Sequence, residues 1–215
     1  MEKKLSIEAK YNLVLFFLVF LYVFVVSILP LGEFKRELYN VVFSVIYIVS
    51  ARIISHKNKR YFFYAGFAII IMWLSDFMDF HYLSFISAVI SILFLILTIT
   101  LMVVRIAKSK EVGLLEFVEA INIYFIMGII GSVLFRIVYL FVPGESYNIP
   151  GETLMPVTDF IYFSFVTLST LGYGDITPID PFAKSLSIFL AISGQLYLTM
   201  IIAVLVGKYL SAKQN

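Results

Sequence analysis

Cysteine is absent from this chain of 215 residues, which excludes a disulfide framework and any thiolate metal site. Histidine is nearly absent too: His56 and His81 lie far apart beside different charged loops, a poor arrangement for metal ligation. Charge is scarce, at 14% of residues, where a soluble domain carries about 25%. Paired carboxylates, a nucleophile–base set and a phosphate-binding loop are all missing, so enzymatic chemistry is not expected. The bases come in small groups between apolar runs, without a basic face interleaved with aromatic platforms, and no nucleic-acid partner is expected either. What fills the sequence is hydrophobic residue, 61% of the total. That leaves too little polar surface to cover a water-soluble body of this size. The chain reads as an all-α integral membrane protein.

A helix needs about 20 apolar residues to cross a hydrocarbon core of roughly 30 Å. Stretches of that kind cover residues 11–29, 38–54, 61–75, 82–104, 120–142 and 182–210. The third is short unless it runs on through Phe77 and Met78. A further apolar stretch, residues 157–169, is too short to span and fits a re-entrant segment. The start "MEKKLSIEAK" before an apolar run resembles a secretory signal, but that run is long enough to span and lacks a small-residue cleavage site, which favours an uncleaved first helix.

Lys and Arg mark the cytoplasmic side. Lys3, Lys4 and Lys10, then Arg52, Lys57, Lys59 and Arg60, then Arg105, Lys108 and Lys110, and finally Lys208 and Lys213 all fall on one side if six helices cross. The other side holds Lys35 and Arg36 offset by Glu33 and Glu37, and then Asp76, Asp79, Glu145, Glu152, Asp175 and Asp180. Arg136 and Lys184 lie near outer helix ends, where their stems can snorkel. Both termini are therefore expected to be cytoplasmic, with the re-entrant segment entering from outside. Residues 1–105 form a four-helix transmembrane domain and 120–215 a second domain around the re-entrant segment. Between them, residues 106–119 read as an interfacial linker helix or as a charged loop leading into the fifth span.

The re-entrant helix is followed by "STLGYGDITP", residues 169–178. Non-helical backbone at membrane depth is tolerated only where protein buries it or where it lines a water-filled cavity. Pro156 suits the first turn of the short helix. For carbonyls of successive residues to point one way, alternate residues must take left-handed dihedrals, and Gly172 and Gly174 do so without a Cβ penalty. The hydroxyl of Thr170 and the carbonyls of Thr170, Leu171, Gly172 and Tyr173 then form a stack of oxygens.

"TLGYGD" resembles the selectivity filter of potassium channels, and "FSFVTLSTLGYGDITP" resembles the pore region of that superfamily, with the resemblance extending over residues 117–213. Such filters are loops, four to a channel, whose carbonyls replace the hydration shell of the ion. The resemblance implies six transmembrane helices with a re-entrant pore helix and filter loop, assembled as a homotetramer in lipid. It implies potassium ions held by Thr170, Leu171, Gly172, Tyr173 and Gly174, with no other metal or cofactor. Tyr173 would pack outward as part of a cuff. Asp175 would bond to Tyr162, which stands where many members have tryptophan, and Ser169 stands beside the filter where threonine is frequent. Leu171 replaces the commoner valine or isoleucine. Val166 stands where some members place a glutamate, so gating through that carboxylate is not expected. Gly194 matches the hinge glycine of the inner helix, or serves close packing. Leu198, Ile202 and Val206 share one helix face and form either an inner gate or a lipid-facing row. Glu145, Glu152 and Asp180 either attract cations to the outer mouth or solvate a loop.

Six helices with the loop between the last two also resemble voltage-gated channels. The fourth span, "YLSFISAVISILFLILTITLMVVR", holds no base before Arg105, which reads as a cytoplasmic anchor. Each gating charge is worth about 2.3 kcal/mol per 100 mV, so a span without charges predicts weak voltage dependence. Asp76, Asp79 and His81 form either a proton or divalent-ion sensor or a polar hairpin. Few residues follow Lys208, and no cytoplasmic ligand-binding domain is expected. The expected function is passive, potassium-selective conduction across a plasma membrane, in a prokaryote by its compactness. The alternatives are a less selective cation channel and a non-conducting modulatory subunit. An active transporter would need discontinuous helices in two related halves, and these are not visible.

Overall fold

The computed structural model describes residues 2–30, 34–55, 59–78, 81–109, 113–142, 146–149 and 155–214. Its helices are α1 (Glu2–Phe20), which runs directly into a π-helical turn (Leu21–Val25), α2 (Phe34–Ile54), α3 (Arg60–Met78), α4 (His81–Lys108), α5 (Leu114–Phe141), α6 (Val157–Leu168) and α7 (Pro181–Gln214). Among the described residues six helices are long and apolar enough to cross a membrane, and α6 is the short apolar one. This is an all-α membrane architecture. The third span does run on to Met78. The stretch 106–119 is divided between the last turn of α4 and the first turns of α5, and residues 110–112 lie outside the described set.

Packing divides the chain into two compact units, residues 1–126 with 203–215, and residues 127–202. In the first unit α2 is the buried element, with Tyr39, Val42, Phe43, Ile46, Tyr47, Val49 and Ile53 inside. The π turn carries Tyr22 onto this face, with ring centroids 5.4 Å from Phe43 and 5.1 Å from Tyr39. Tyr47 continues the aromatic column to Phe94 of α4 at 4.9 Å, edge to face. Lipid tails are as apolar as leucine and give helices no hydrophobic reason to associate, so shape and hydrogen bonds must do it. At the ends of the helices those bonds are visible. Arg36 pairs with Asp76, and Asn40 Nδ2 donates to the same carboxylate at 3.0 Å, joining α2 to α3. The sequence also groups Asp76 with Asp79 and His81. Asp79 and the His81 side chain lie outside the described residues.

A buried polar cluster sits at the opposite end. Glu119 of α5 is 1% exposed, lies 3.0 Å from Arg105 Nη1 and accepts a hydrogen bond from Asn12 Nδ2 at 3.1 Å. Asn122 Nδ2 donates to the Asn12 carbonyl at 2.9 Å. Arg105, read from the sequence as an anchor, thus has a buried partner. A charge taken out of water needs a partner and further hydrogen bonds, and the cluster supplies both. In the same unit Lys208 Nζ donates to the carbonyls of Ile106, Ala107 and Ser109 at 2.6, 3.0 and 2.7 Å. The last carbonyls of a helix have no intrahelical donor, and one ammonium group with three hydrogens serves two of them and the carbonyl that follows.

In the second unit, small residues of α5 let α6 and α7 approach. A Cβ on Gly128 would overlap the Phe165 ring, and one on Gly131 would overlap Ser164 Oγ and Leu190. Ser164 Oγ donates to the Gly128 carbonyl at 2.6 Å. Phe135 is fully buried against Phe163 at 4.6 Å. A two-residue ladder, β1 (Tyr147–Asn148) with β2 (Thr177–Pro178), pairs Tyr147 with Pro178 and Asn148 with Thr177. It ties the segment after α5 to the segment after the glycines, and the Tyr147 hydroxyl donates back to the Phe135 carbonyl at 3.0 Å.

Candidate functional site

Pro156 is the N-cap of α6, one residue before the first turn where it was expected, with φ −70° and ψ 164°. The N-cap carbonyl accepts the first bond of a helix, and here the Asp159 amide donates to it at 3.1 Å. A proline serves there because only its carbonyl is needed. At the other end Ser169 closes α6. Its amide donates to the Phe165 carbonyl at 2.9 Å, and its hydroxyl donates to the same oxygen at 2.7 Å.

The chain then turns back along α6. The Thr170 amide donates to the Thr167 carbonyl at 3.0 Å, and the amides of Leu171 and Gly172 both donate to the Val166 carbonyl, at 3.0 and 3.4 Å. In a planar trans peptide the N–H and the C=O on either side of the bond point in opposite directions. With the amides of residues 170, 171 and 172 turned toward α6, the carbonyls of Ser169, Thr170 and Leu171 point away from it. Positive φ occurs at Thr170 (60°), Gly172 (57°) and Gly174 (80°), every second residue. A Cβ on Gly172 or Gly174 would meet nothing within 4 Å. Glycine stands at these positions because of the dihedral, and not for want of space.

Thr170 departs from expectation, because a β-branched residue normally avoids this region. Left-handed geometry costs an L-residue roughly 1–2 kcal/mol, so something must hold it. Its amide is fastened to α6, and its hydroxyl oxygen accepts a hydrogen bond from Gln195 Nε2 at 3.1 Å. Gln195 was not singled out from the sequence. The available signal was an amide side chain directly after Gly194 inside an otherwise apolar helix.

Beyond the glycines, the Tyr162 hydroxyl donates to Asp175 Oδ2 at 2.5 Å, and Asp175 Oδ1 accepts from the Ile176 amide at 3.0 Å. The tyrosine hydrogen bond, with help from that backbone amide, holds the Asp175 carboxyl below the usual aspartate range. Asp180 has a local duty. Its Oδ1 accepts from the amides of Phe182 and Ala183 at 2.8 and 3.2 Å and so caps α7. Glu145 and Glu152 lie outside the described residues. Val166 is buried, and its carbonyl is the anchor for two amides of the glycine segment.

On α7, Gly194 lies against the end of α6. A Cβ there would overlap the Leu168 carbonyl oxygen and come within 2.9 Å of Leu168 Cδ1. The helix is continuous through this position, and the close approach to Leu168 leaves no room for a Cβ. Leu198 is half-buried, whereas Ile202 is 57% and Val206 49% exposed in the chain. Leu171 and Tyr173 are 60% and 68% exposed.

Residues 92–211, more than half of the chain, match the ion channel family. "Two pore potassium channel c" of Oryza sativa subsp. japonica is 38% identical over 77 residues, which are 36% of this chain and 17% of that protein. "Two-pore potassium channel 2" of Arabidopsis thaliana is 37% identical over 71 residues, 33% of this chain and 16% of that protein. A "Voltage-gated potassium channel" of Aeropyrum pernix is 33% identical over 57 residues, 26% of this chain and 19% of that protein. The matches thus span less than a fifth of each of these relatives, and the plant proteins lend no support to a prokaryotic source. No solved structure gives a significant match. A short helix that turns back into a tethered glycine segment between two membrane-crossing helices, together with the family match across that region, makes this chain a member of the ion channel family, similar to potassium channels in the part they share.

Proposed function

We propose that the chain is one subunit of a potassium-selective channel that conducts passively, and that four identical chains bring their segments 170–174 together around one axis. The observation that carries this reading is left-handed backbone at every second residue, 170, 172 and 174, beside amides turned toward α6. Potassium would exchange its water for the Thr170 hydroxyl and the carbonyls of Thr170, Leu171, Gly172 and Tyr173. Sodium holds water more tightly and is compensated less well by the same oxygens. The C-terminal end of α6 adds a partial charge of roughly −0.5 beside the inner end of the stack. Ser169 and the Tyr162–Asp175 bond support the segment from its two ends. The exposure of Leu171 and Tyr173, which lie on non-helical backbone, favours cover by further subunits, because such backbone at membrane depth must be buried in protein or line a water-filled cavity.

The first four helices act as a sensor-like scaffold with little voltage response, because α4 holds no base before Arg105, and that base is paired with Glu119. Leu198, Ile202 and Val206 form the candidate inner constriction, and Gly194, which seats α7 on α6, is the candidate hinge of that helix. Both termini lie on the cytoplasmic side.

The test is the reversal potential of the purified protein in a planar bilayer, with potassium on one side and sodium on the other. A reversal near the potassium equilibrium potential, a current without steep voltage activation, and loss of both in Gly172→Asp are expected. Robust current reversing near zero would defeat the selectivity claim. Silence at every voltage and pH would put the modulatory-subunit reading first.

A further inference from the structure

Among the oxygens proposed to meet the ion, the one at the inner end differs from the rest. Carbonyl directions in the glycine segment follow from the backbone, but the Thr170 hydroxyl can turn about its side-chain bond and rotate its hydrogen. A hydroxyl with no partner could swing its oxygen aside or present its hydrogen, the positive end, to a cation. Gln195 Nε2 donates to that oxygen at 3.1 Å. A hydroxyl oxygen has two acceptor lone pairs, so the amide engages one and leaves the other for an ion. The glutamine is placed by its neighbour: the bare Gly194 lets α7 lie against the Leu168 carbonyl at the end of α6, where any Cβ would clash. Its own backbone stays in the helix, and its carbonyl accepts from Thr199 Oγ1 at 2.8 Å. A polar side chain inside a membrane helix is costly and needs a partner, and this one finds its partner where α7 meets the glycine segment.

We infer that Gln195 is a positioning residue that sets the Thr170 hydroxyl at the inner end of the ion path and thereby contributes to discrimination between potassium and sodium. The inference rests on the function proposed above. Gln195 acts only through Thr170, so removing it matters only while Thr170 carries a hydroxyl.

The experiment measures reversal potentials under potassium–sodium bi-ionic conditions for the native chain and for Gln195→Leu, Thr170→Val, Thr170→Ser, Gln195→Leu/Thr170→Ser and the double variant Gln195→Leu/Thr170→Val. Gln195→Leu is expected to lower the potassium-to-sodium permeability ratio by roughly tenfold, the factor one ordinary hydrogen bond supplies. The loss should recur in a Thr170→Ser background, which keeps the hydroxyl, and disappear in Thr170→Val, so that the double variant is no worse than Thr170→Val alone. An unchanged ratio in Gln195→Leu, or simple addition of the two effects in the double variant, overturns the inference. If a variant passes no current, the melting temperature of the purified protein in potassium against sodium replaces the electrical reading. A diminished potassium-specific rise in Gln195→Leu supports the inference, and an undiminished rise overturns it. A native chain with no preference for potassium in either assay removes the proposed function itself, which distinguishes that failure from this one.

Discussion

At the scale of single residues, the mouth of the glycine segment depends on one hydrogen bond whose pH behaviour follows from its sign. Tyr162 donates to Asp175 at 2.5 Å, and this bond favours the charged carboxylate, so the Asp175 pKa lies below the ordinary aspartate value. A depressed pKa means that the stabilisation is complete above the unperturbed value, near 3.9, and is lost only as pH falls through the depressed one. Native current should therefore stay flat as the outer solution is taken from about pH 7 to about pH 5. Tyr162→Phe removes the donor, and the pH at which acid reduces the current should rise toward the ordinary aspartate value. Current recorded against outer pH measures this, and coincident curves for the two proteins would show that the bond has no such part.

The C-terminal end of α4 illustrates the scale of elements. Its carbonyls of Ile106 and Ala107, and that of Ser109 just beyond it, accept from Lys208 Nζ at 2.6 to 3.0 Å. A cation at a helix C-terminus also complements the macrodipole. Removing the ammonium leaves the carbonyls to water, a loss on the order of 1–2 kcal/mol. Lys208→Met should speed hydrogen exchange of the Ser109 amide, which bonds to the Arg105 carbonyl at 3.0 Å, by about tenfold. Amides in the middle of α2 should be unchanged. Equal acceleration in both places would mean a global loss of stability, and no acceleration would mean that the lysine bonds contribute nothing. The small-residue seats at Gly128, Gly131 and Gly194 belong to this scale too, because in lipid close backbone approach takes over the work that hydrophobic burial does in water.

At the scale of the whole molecule, the single row of oxygens proposed for one chain does not by itself enclose an ion. Leu171 and Tyr173, 60% and 68% exposed, lie on non-helical backbone that must be buried in protein or line a water-filled cavity at membrane depth, and the proposed ring of four chains would supply that cover. The detergent-solubilised protein, corrected for bound detergent, should therefore have four times the 24.6 kDa mass of one chain. A mass equal to one or two chains, measured by light scattering, would end the homotetramer reading.

The number and placement of the spans were legible in the sequence because run length and hydropathy are local properties, and so was the need for left-handed backbone at Gly172 and Gly174. The bond from Tyr162 to Asp175 was expected only through a family resemblance. What stayed hidden depends on which distant side chains meet. Glu119 and Asn12 are 107 positions apart and Lys208 and Ile106 are 102 apart; no pattern in either segment announces its partner. Thr170 was hidden for a different reason. Its side chain argues against positive φ, and the backbone adopts it because α6 holds the amide on one side and Gln195 holds the hydroxyl on the other. Local chemistry determined that this chain enters a membrane and that its glycine segment is irregular backbone. Only the tertiary structure decided what that segment is fastened to, because a hydrogen bond between helices requires a distance and a direction that sequence spacing does not contain.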